Sequence, residues 1–182
     1  MSSDKAALRS TQRGRTLSSL ERAHQSERLQ ARLCSLDVIV QANAVALFVG
    51  VGHEPETRGL FEALAPKERW LPKVVGPREL AWCAVTDWAG LQLGRFGIRE
   101  PQGLGAPTLP AQVEVVLVPG LAFDARGGRL GWGRGYYDRA LAQAPGARRV
   151  GVCLQGGLVD FVPMEPHDLR MHTVVSPSAA YP

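Results

Sequence analysis

The chain has 182 residues, 45% of them hydrophobic and 21% charged. That is enough for one domain with a complete core, too little for two, and incompatible with wholesale disorder. A net charge of +4 without a long Lys/Arg run argues against nucleic acid as a partner, and no apolar run approaches the ~20 residues that cross a bilayer. Cys34, Cys83 and Cys153 are isolated and odd in number, with no CxxC pair, so neither a zinc site nor a disulfide framework is indicated and a reducing cytoplasm fits best. The start of the chain shows no signal-peptide pattern, and Asp4 argues against a mitochondrial transit peptide.

Residues 4–13 predict a short basic helix stopped by Gly14. Lys5 and Arg9 lie four apart and share one face, which spacing alone leaves open as a solvated surface or a binding surface. Ser18 and Glu21 form a capping-box pattern that starts a second helix. Its core stripe runs through Leu29, Leu33, Leu36 and Val40, and it is expected to end near 41–43. Residues 44–49, AVALFV, read as a buried parallel strand, broken at 50–55. Residues 56–65 predict a helix with Leu60, Phe61 and Leu64 on its apolar face.

Two strand candidates follow, 69–75 and 80–85, the first placed at a sheet edge by Pro72. Residues 86–112 read as loop. Residues 113–118 form the most apolar strand, 135–144 a helix stopped by Pro145-Gly146, and 149–154 another strand. Residues 156–168 read as loop and 171–175 as a last strand. Neither repeats nor low-complexity segments occur. This alternation predicts a single α/β domain over 1–182, with a mostly parallel sheet covered by helices on both faces, a Rossmann-like three-layer arrangement. Ligands in such sheets sit past the carboxyl ends of strands, so the loops after Val49 and Val118 are expected to face one crevice.

The second of those loops carries the densest chemistry: Gly131-Trp132-Gly133-Arg134-Gly135-Tyr136-Tyr137-Asp138. Glycines let a backbone approach a ligand and aim its N–H groups inward, Arg129 and Arg134 offer forked donors to phosphate, and Asp138 offers a hard oxygen to Mg²⁺. It is neither GxxxxGK[ST] nor GxGxxG, which excludes the Walker loop and the dinucleotide fingerprint. Taken alone, such a loop is equally an ordinary strand–helix connection.

The longer stretch 118–139, VPGLAFDARGGRLGWGRGYYDR, resembles the signature of the 5-formyltetrahydrofolate cyclo-ligase (methenyltetrahydrofolate synthetase) family. Three further pieces resemble that family in order: Lys5-x-x-x-Arg9, Glu54-Pro55-Glu56-Thr57 and Pro166-His167-Asp168. The resemblance implies a ligase of one-carbon metabolism that uses ATP and Mg²⁺ to convert 5-formyltetrahydrofolate to 5,10-methenyltetrahydrofolate, with ADP and phosphate as products. It implies phosphorylation of the formyl oxygen followed by attack of N10.

Carried over by position, ATP is expected at Lys5, Arg9 and Arg129, Leu130, Gly131, Trp132, Gly133, Arg134, Gly135, Tyr136 and Tyr137. The folate is expected at Val49, Glu54, Trp132, Gly133, Arg134, Gly135 and Tyr136, and Mg²⁺ at Asp138 and Asp168. Arg134 and Tyr136 are expected to act on the reacting groups. The implied partner is a reduced folate, with no nucleic acid and no membrane, and the implied state is a cytoplasmic monomer. Departures from the family pattern fall at Trp132, often Tyr or Arg; at Glu114, usually Asp; and at His172, commonly Asp. On the residues alone, Asp168 is equally a cap or a salt-bridge partner. His24, His53 and His172 lack ligand spacing and read as surface or loop histidines. Two other readings are a relative with the same ATP loop and another substrate, and a basic module for RNA or another polyanion.

Overall fold

The computed structural model describes residues 3–182. Helix α1, Ser3–Arg13, ends at Gly14, whose N–H closes on the Ser10 and Thr11 carbonyls. Helix α2, Ser19–Cys34, starts on the expected capping box: the Ser18 hydroxyl accepts from Glu21 N, and the Glu21 carboxylate accepts from Ser18 N. It stops earlier than its apolar spacing predicts. Ser35 closes it with an N–H on the Arg32 and Leu33 carbonyls, and a separate short helix, α3, follows at Asp37–Gln41. The break resets the helical phase. Leu29 and Leu33 face the core as expected, but Ile39 takes the buried position, Leu36 packs at the core's margin and Val40 is exposed.

The remaining elements are β1 (Ala44–Ala46), α4 (Arg58–Ala63), β2 (Glu68–Val74), β3 (Leu80–Ala84), β4 (Gln92–Leu93), β5 (Arg99–Glu100), β6 (Val115–Val118), β7 (Ala122–Phe123), β8 (Arg129–Leu130), α5 (Tyr136–Ala142), β9 (Arg148–Val152), β10 (Thr173–Val175) and β11 (Ala180–Tyr181). Seven strands form one sheet in the order β11-β10-β9-β6-β1-β2-β3. The pairs from β10 to β2 are parallel, and an antiparallel strand closes each edge.

Alternation within the central strand β6 divides the core. Val115 and Leu117 pack with Leu29, Leu33, Leu60 and Phe61 from α2 and α4; Val116 and Val118 pack with Leu141 from α5. The sheet is therefore mostly parallel and helix-covered on both faces, as predicted. From β1 the chain turns through α4 to β2 on one side. It later returns to β6 on the other side of β1 and continues through α5 to β9. The strand order reverses between β1 and β6, so the loops leaving those two strands diverge and open a crevice at their carboxyl ends.

The edge placement of the 69–75 strand does not hold: β2 lies between β1 and β3. Pro72 is tolerated there because Trp82, opposite it on β3, directs its own N–H and C=O to Ala106. The Pro72–Trp82 pair is thus a non-hydrogen-bonded one, so the ladder to β3 needs no N–H from Pro72, whose nitrogen faces the β1 side. Nor is 86–112 structureless, since β4 and β5 pair as a small hairpin around a 3-10 turn at Arg95–Gly97.

Removing the cap hydroxyl with Ser18→Ala leaves the first turn of α2 without its side-chain acceptor. It is expected to cost about 1 kcal/mol, read as a lower midpoint in urea at unchanged slope.

Candidate active site

One wall of the crevice is the loop that follows β1. Gly50 is needed for its path, because a Cβ there would overlap the Pro55 carbonyl. The Thr57 hydroxyl donates to the Phe48 carbonyl at 2.6 Å and accepts from Gly50 N at 3.3 Å. Arg22 of α2 donates to the Glu54 carbonyl at 2.8 Å and the Gly50 carbonyl at 3.2 Å. Held from both sides, the loop turns the Glu54 side chain inward, where only 5% of the residue is exposed. Its Oε1 accepts from Trp132 Nε1 at 2.8 Å and its Oε2 from Val51 N at 3.1 Å. Burial pushes the carboxyl up to about 7, against the opposing pull of the Trp132 and Val51 hydrogen bonds and of Arg22 and Arg129.

The other wall follows β6. A β7–β8 hairpin precedes the glycine loop, and its turn is fastened by Asp124, which accepts from Arg126 N, Gly128 N and Val162 N at 2.9, 2.9 and 2.8 Å. Leu130 packs its side chain into a small apolar cluster with Leu121, Ala122 and Val162, so it faces away from the cleft. Arg129, beside it, is buried; it pairs with Asp138 and donates to the Pro119 carbonyl at 3.3 Å, while its Nε has no hydrogen-bond partner. Gly135 enters α5 with φ of 66°, a left-handed conformation that suits glycine.

The Tyr136 hydroxyl donates to the Gly76 carbonyl at 3.3 Å. Tyr137 turns its hydroxyl inward without a partner, and burial together with the Glu54 charge pushes it well up. The Arg134 guanidinium lies 4.7 Å from the centre of the Phe96 ring. Between the walls is a cleft of about 370 Å³. Of the residues singled out in the sequence, Val49, Glu54, Arg129, Gly131, Trp132, Arg134, Gly135, Tyr136, Tyr137 and Asp138 line it.

Lys5, Arg9 and Asp168 sit behind the glycine loop rather than in the cleft wall. Lys5 is not on a solvated face: it is buried and ion-paired with Asp168 and, at 3.2 Å, with Glu165. Arg9 Nε donates to the Gly131 carbonyl at 3.1 Å, and its buried Nη1 has no partner. Arg13, not anticipated, donates to the Trp132 carbonyl at 3.0 Å. These contacts lay α1 along the outside of the loop, with Gly133 close to Arg9.

Asp168 thus takes the salt-bridge role that its residue type left open. Burial raises its carboxyl, but the Lys5 and Glu165 N hydrogen bonds and the Lys5 and His167 charges hold it below the usual carboxylate range. Among the described residues, Glu165, His167 and Asp168 form the group with metal-sized spacing, their ligand atoms lying within 4.8 Å of one another; Asp138 is not part of it. The departures at Glu114 and His172 have local roles. Glu114 Oε2 accepts from Ala44 N at 3.2 Å, and His172 Nδ1 accepts from Arg149 N at 2.9 Å.

Sequence reasoning missed the third side of the cleft, formed by Phe96, Ile98, Arg99 and Glu100 of the β4–β5 segment together with Pro72, Val74 and Leu80. Phe96 adopts φ of 62°, rare for a side chain with a Cβ. Gly94 and Gly97 bracketing a short turn were the available signal for a hairpin.

Glu54 ties folding to pH. Its carboxyl ionises near 4.5 when free and near 7 in the fold, so the native state holds the proton more tightly. The resulting stabilisation, about 3 kcal/mol, is present below the lower value and is lost as pH rises through the upper one. The melting temperature of the parent chain relative to Glu54→Gln is expected to fall steadily from pH 5 to pH 8 in a thermal-denaturation series.

The 5-formyltetrahydrofolate cyclo-ligase family model matches residues 1–177. A Mycolicibacterium smegmatis protein named 5-formyltetrahydrofolate cyclo-ligase is 34% identical over 185 residues, covering 91% of this chain and 89% of its own length. An Escherichia coli protein of the same name is 32% identical over 178 residues, covering 93% and 97%. The structure of Aquifex aeolicus 5,10-methenyltetrahydrofolate synthetase superposes with a TM-score of 0.85 at 34% identity, covering 97% of this chain and 91% of that one. With a matched model spanning nearly its whole length and relatives of this similarity, the chain belongs to the 5-formyltetrahydrofolate cyclo-ligase family of ligases.

Proposed function

We propose that this chain closes 5-formyltetrahydrofolate to 5,10-methenyltetrahydrofolate at the expense of ATP. The observation that carries the reading is the opposition, across one cleft, of the Glu54 carboxyl at the end of β1 and the Arg129–Asp138 segment after β6, in contact through Trp132 Nε1 and Glu54 Oε1. A carboxylate can accept from two adjacent ring donors, as the amino-pyrimidinone edge of a pterin presents them. Val49, the Trp132 ring, the backbone at Gly133 and Gly135, and Tyr136 would enclose the folate. Trp132 Nε1 holds the acceptor until ring donors replace it.

The phosphate side would straddle the same loop, from Lys5 and Arg9 behind it to Arg129 and Arg134 on its cleft face. Lys5, Arg9, Arg129, Gly131, Gly133, Arg134 and Tyr137 would take the triphosphate, along with the backbone at Leu130, whose side chain is committed to the core. The donor set fits an anion, because Arg9 Nη1 and Arg129 Nε are buried donors without partners. Asp138 and Asp168 would hold Mg²⁺, and Glu165, grouped with Asp168 and His167, offers a further hard oxygen of suitable spacing. Bound there, the ion would neutralise charge on the phosphates. Lys5 and Arg129, now paired with those two aspartates, would turn toward phosphate oxygens. Arg134 and Tyr136, at the seam between the two sides, would position the formyl oxygen against the terminal phosphate. Charge neutralisation and alignment then do most of the catalysis. The three cysteines are free, in keeping with a cytoplasmic setting, and the site as read is completed by one chain, in keeping with a monomer.

Methenyl product formation from 5-formyltetrahydrofolate, followed by absorbance with and without Mg-ATP, tests the reading directly; absence of turnover by folded protein overturns it. Glu54→Gln is expected to raise KM for the folate by about 10- to 100-fold, the worth of a hydrogen bond to a charged group, while KM for ATP changes little. Asp138→Asn is expected to shift the Mg²⁺ titration of the rate to higher concentration, and an unchanged curve removes Asp138 from the metal site.

A further inference from the structure

Two buried glutamates line the cleft, and only Glu54 has its needs met by the protein. Glu100, in β5, is 6% exposed. Among the described residues its carboxylate has a single hydrogen bond, a long one: Oε1 accepts from Val74 N at 3.3 Å. Among the described residues no Lys or Arg lies within salt-bridge distance of it. The cleft's arginines are engaged elsewhere. Arg99 donates to the Leu91 carbonyl at 3.2 Å, Arg129 pairs with Asp138, and Arg134 lies against Phe96. The chain also makes room for this carboxylate, since a Cβ at Gly94 would overlap it. Burying a carboxylate with neither a cation nor a full set of donors is costly, so it calls for a positive partner that arrives with the ligand.

The proposed reaction makes such a partner. The formyl group of the substrate is an uncharged amide on N5. When the activated oxygen departs, the N10 lone pair forms the new N10–C bond, the C–O bond pair leaves with oxygen as phosphate, and the N10 proton goes to water. The carbon is left bonded to two nitrogens, an amidinium that carries one delocalised positive charge. Resting on the cyclo-ligase reading, we propose that Glu100 is the counter-charge for this amidinium: a catalytic carboxylate that favours the charged ring over the neutral formyl compound. Such a group binds the transition state and product more than the substrate, and so acts on kcat rather than on KM.

Glu100→Gln tests this, because the amide oxygen can still accept from Val74 N while the charge is gone. Two quantities are read: steady-state kinetics, and the ratio of affinities for 5,10-methenyl- and 5-formyltetrahydrofolate without ATP, taken by stopped-flow tryptophan quenching. The expected result is a kcat at least tenfold lower, KM values within about threefold of the parent, and an affinity ratio about tenfold less favourable to the methenyl compound. A kcat within threefold of the parent, or equal weakening of both ligands, overturns the proposal and leaves Glu100 a fastener between β5 and β2. If Glu100→Gln fails to fold, Gly94→Ala, which displaces the carboxylate, must lower kcat in the same way or the proposal falls. If the parent itself shows no turnover, the cyclo-ligase reading is what fails. The affinity ratio still decides the counter-charge, and equal binding of the cationic and neutral ligands by the parent overturns it.

Discussion

The pairing of β1 with β6, Val45 against Val115 and Ala46 against Val116, is the constraint on which the site depends. It joins two strands whose following connections must go opposite ways, one through α4 to β2 and one toward α5 and β9. A crevice at their carboxyl ends is unavoidable, and neither loop can cover it without crossing the other. Both strands are buried on each face, which holds them between the two helix layers. The floor of the cleft is thus set by the buried centre of the sheet, while the chemistry sits on loops fastened by Arg22, Thr57 and Asp124.

Charge around the cleft is held in local pairs and caps. Lys5 is matched by Asp168 and Glu165, Arg129 by Asp138, and Arg9 and Arg13 by carbonyls of the glycine loop. On the proposed reading each contact would be exchanged for a phosphate or a metal, a charge-assisted hydrogen bond to a new partner replacing one of the same kind. The two glutamates of the cleft differ in this respect. Glu54 is shared between an indole and a backbone N–H, whereas Glu100 has almost nothing. On that contrast rest the two proposed roles, recognition of a neutral ring edge by Glu54 and attraction for a positive charge by Glu100.

Some elements were readable because local chemistry and packing agree. The Ser18–Glu21 box starts α2 where it should, and Leu60, Phe61 and Leu64 are all buried. Others were not readable, for identifiable reasons. The stripe Leu29–Leu33–Leu36–Val40 has helical spacing throughout, but Ser35 breaks the helix and resets its phase, so Ile39 is buried and Val40 is exposed. Pro72 signals an edge only if the neighbouring strand needs its N–H; Trp82, bonded instead to Ala106, does not, and no property of residue 72 encodes that. The β7–β8 hairpin hid inside a glycine-rich run that also reads as one loop.

Residue order alone determined which side chains were available: a glutamate past one apolar strand, arginines and glycines past another, a basic pair near the start and an aspartate near the end. Glu54 and the glycine loop stand out because they follow apolar strands, whereas Lys5, Arg9 and Asp168 stand out through the resemblance of their motifs to the family's. Tertiary structure decided how they are shared out. Lys5 and Arg9 lie behind the glycine loop, Leu130 is spent on the core, and Asp168 joins Lys5 and Glu165 rather than Asp138. The third wall, with Phe96 and Glu100, is supplied by a hairpin that periodicity does not detect. Pairings between residues more than a hundred positions apart depend on which strands are neighbours, and strand order is a property of the assembled sheet.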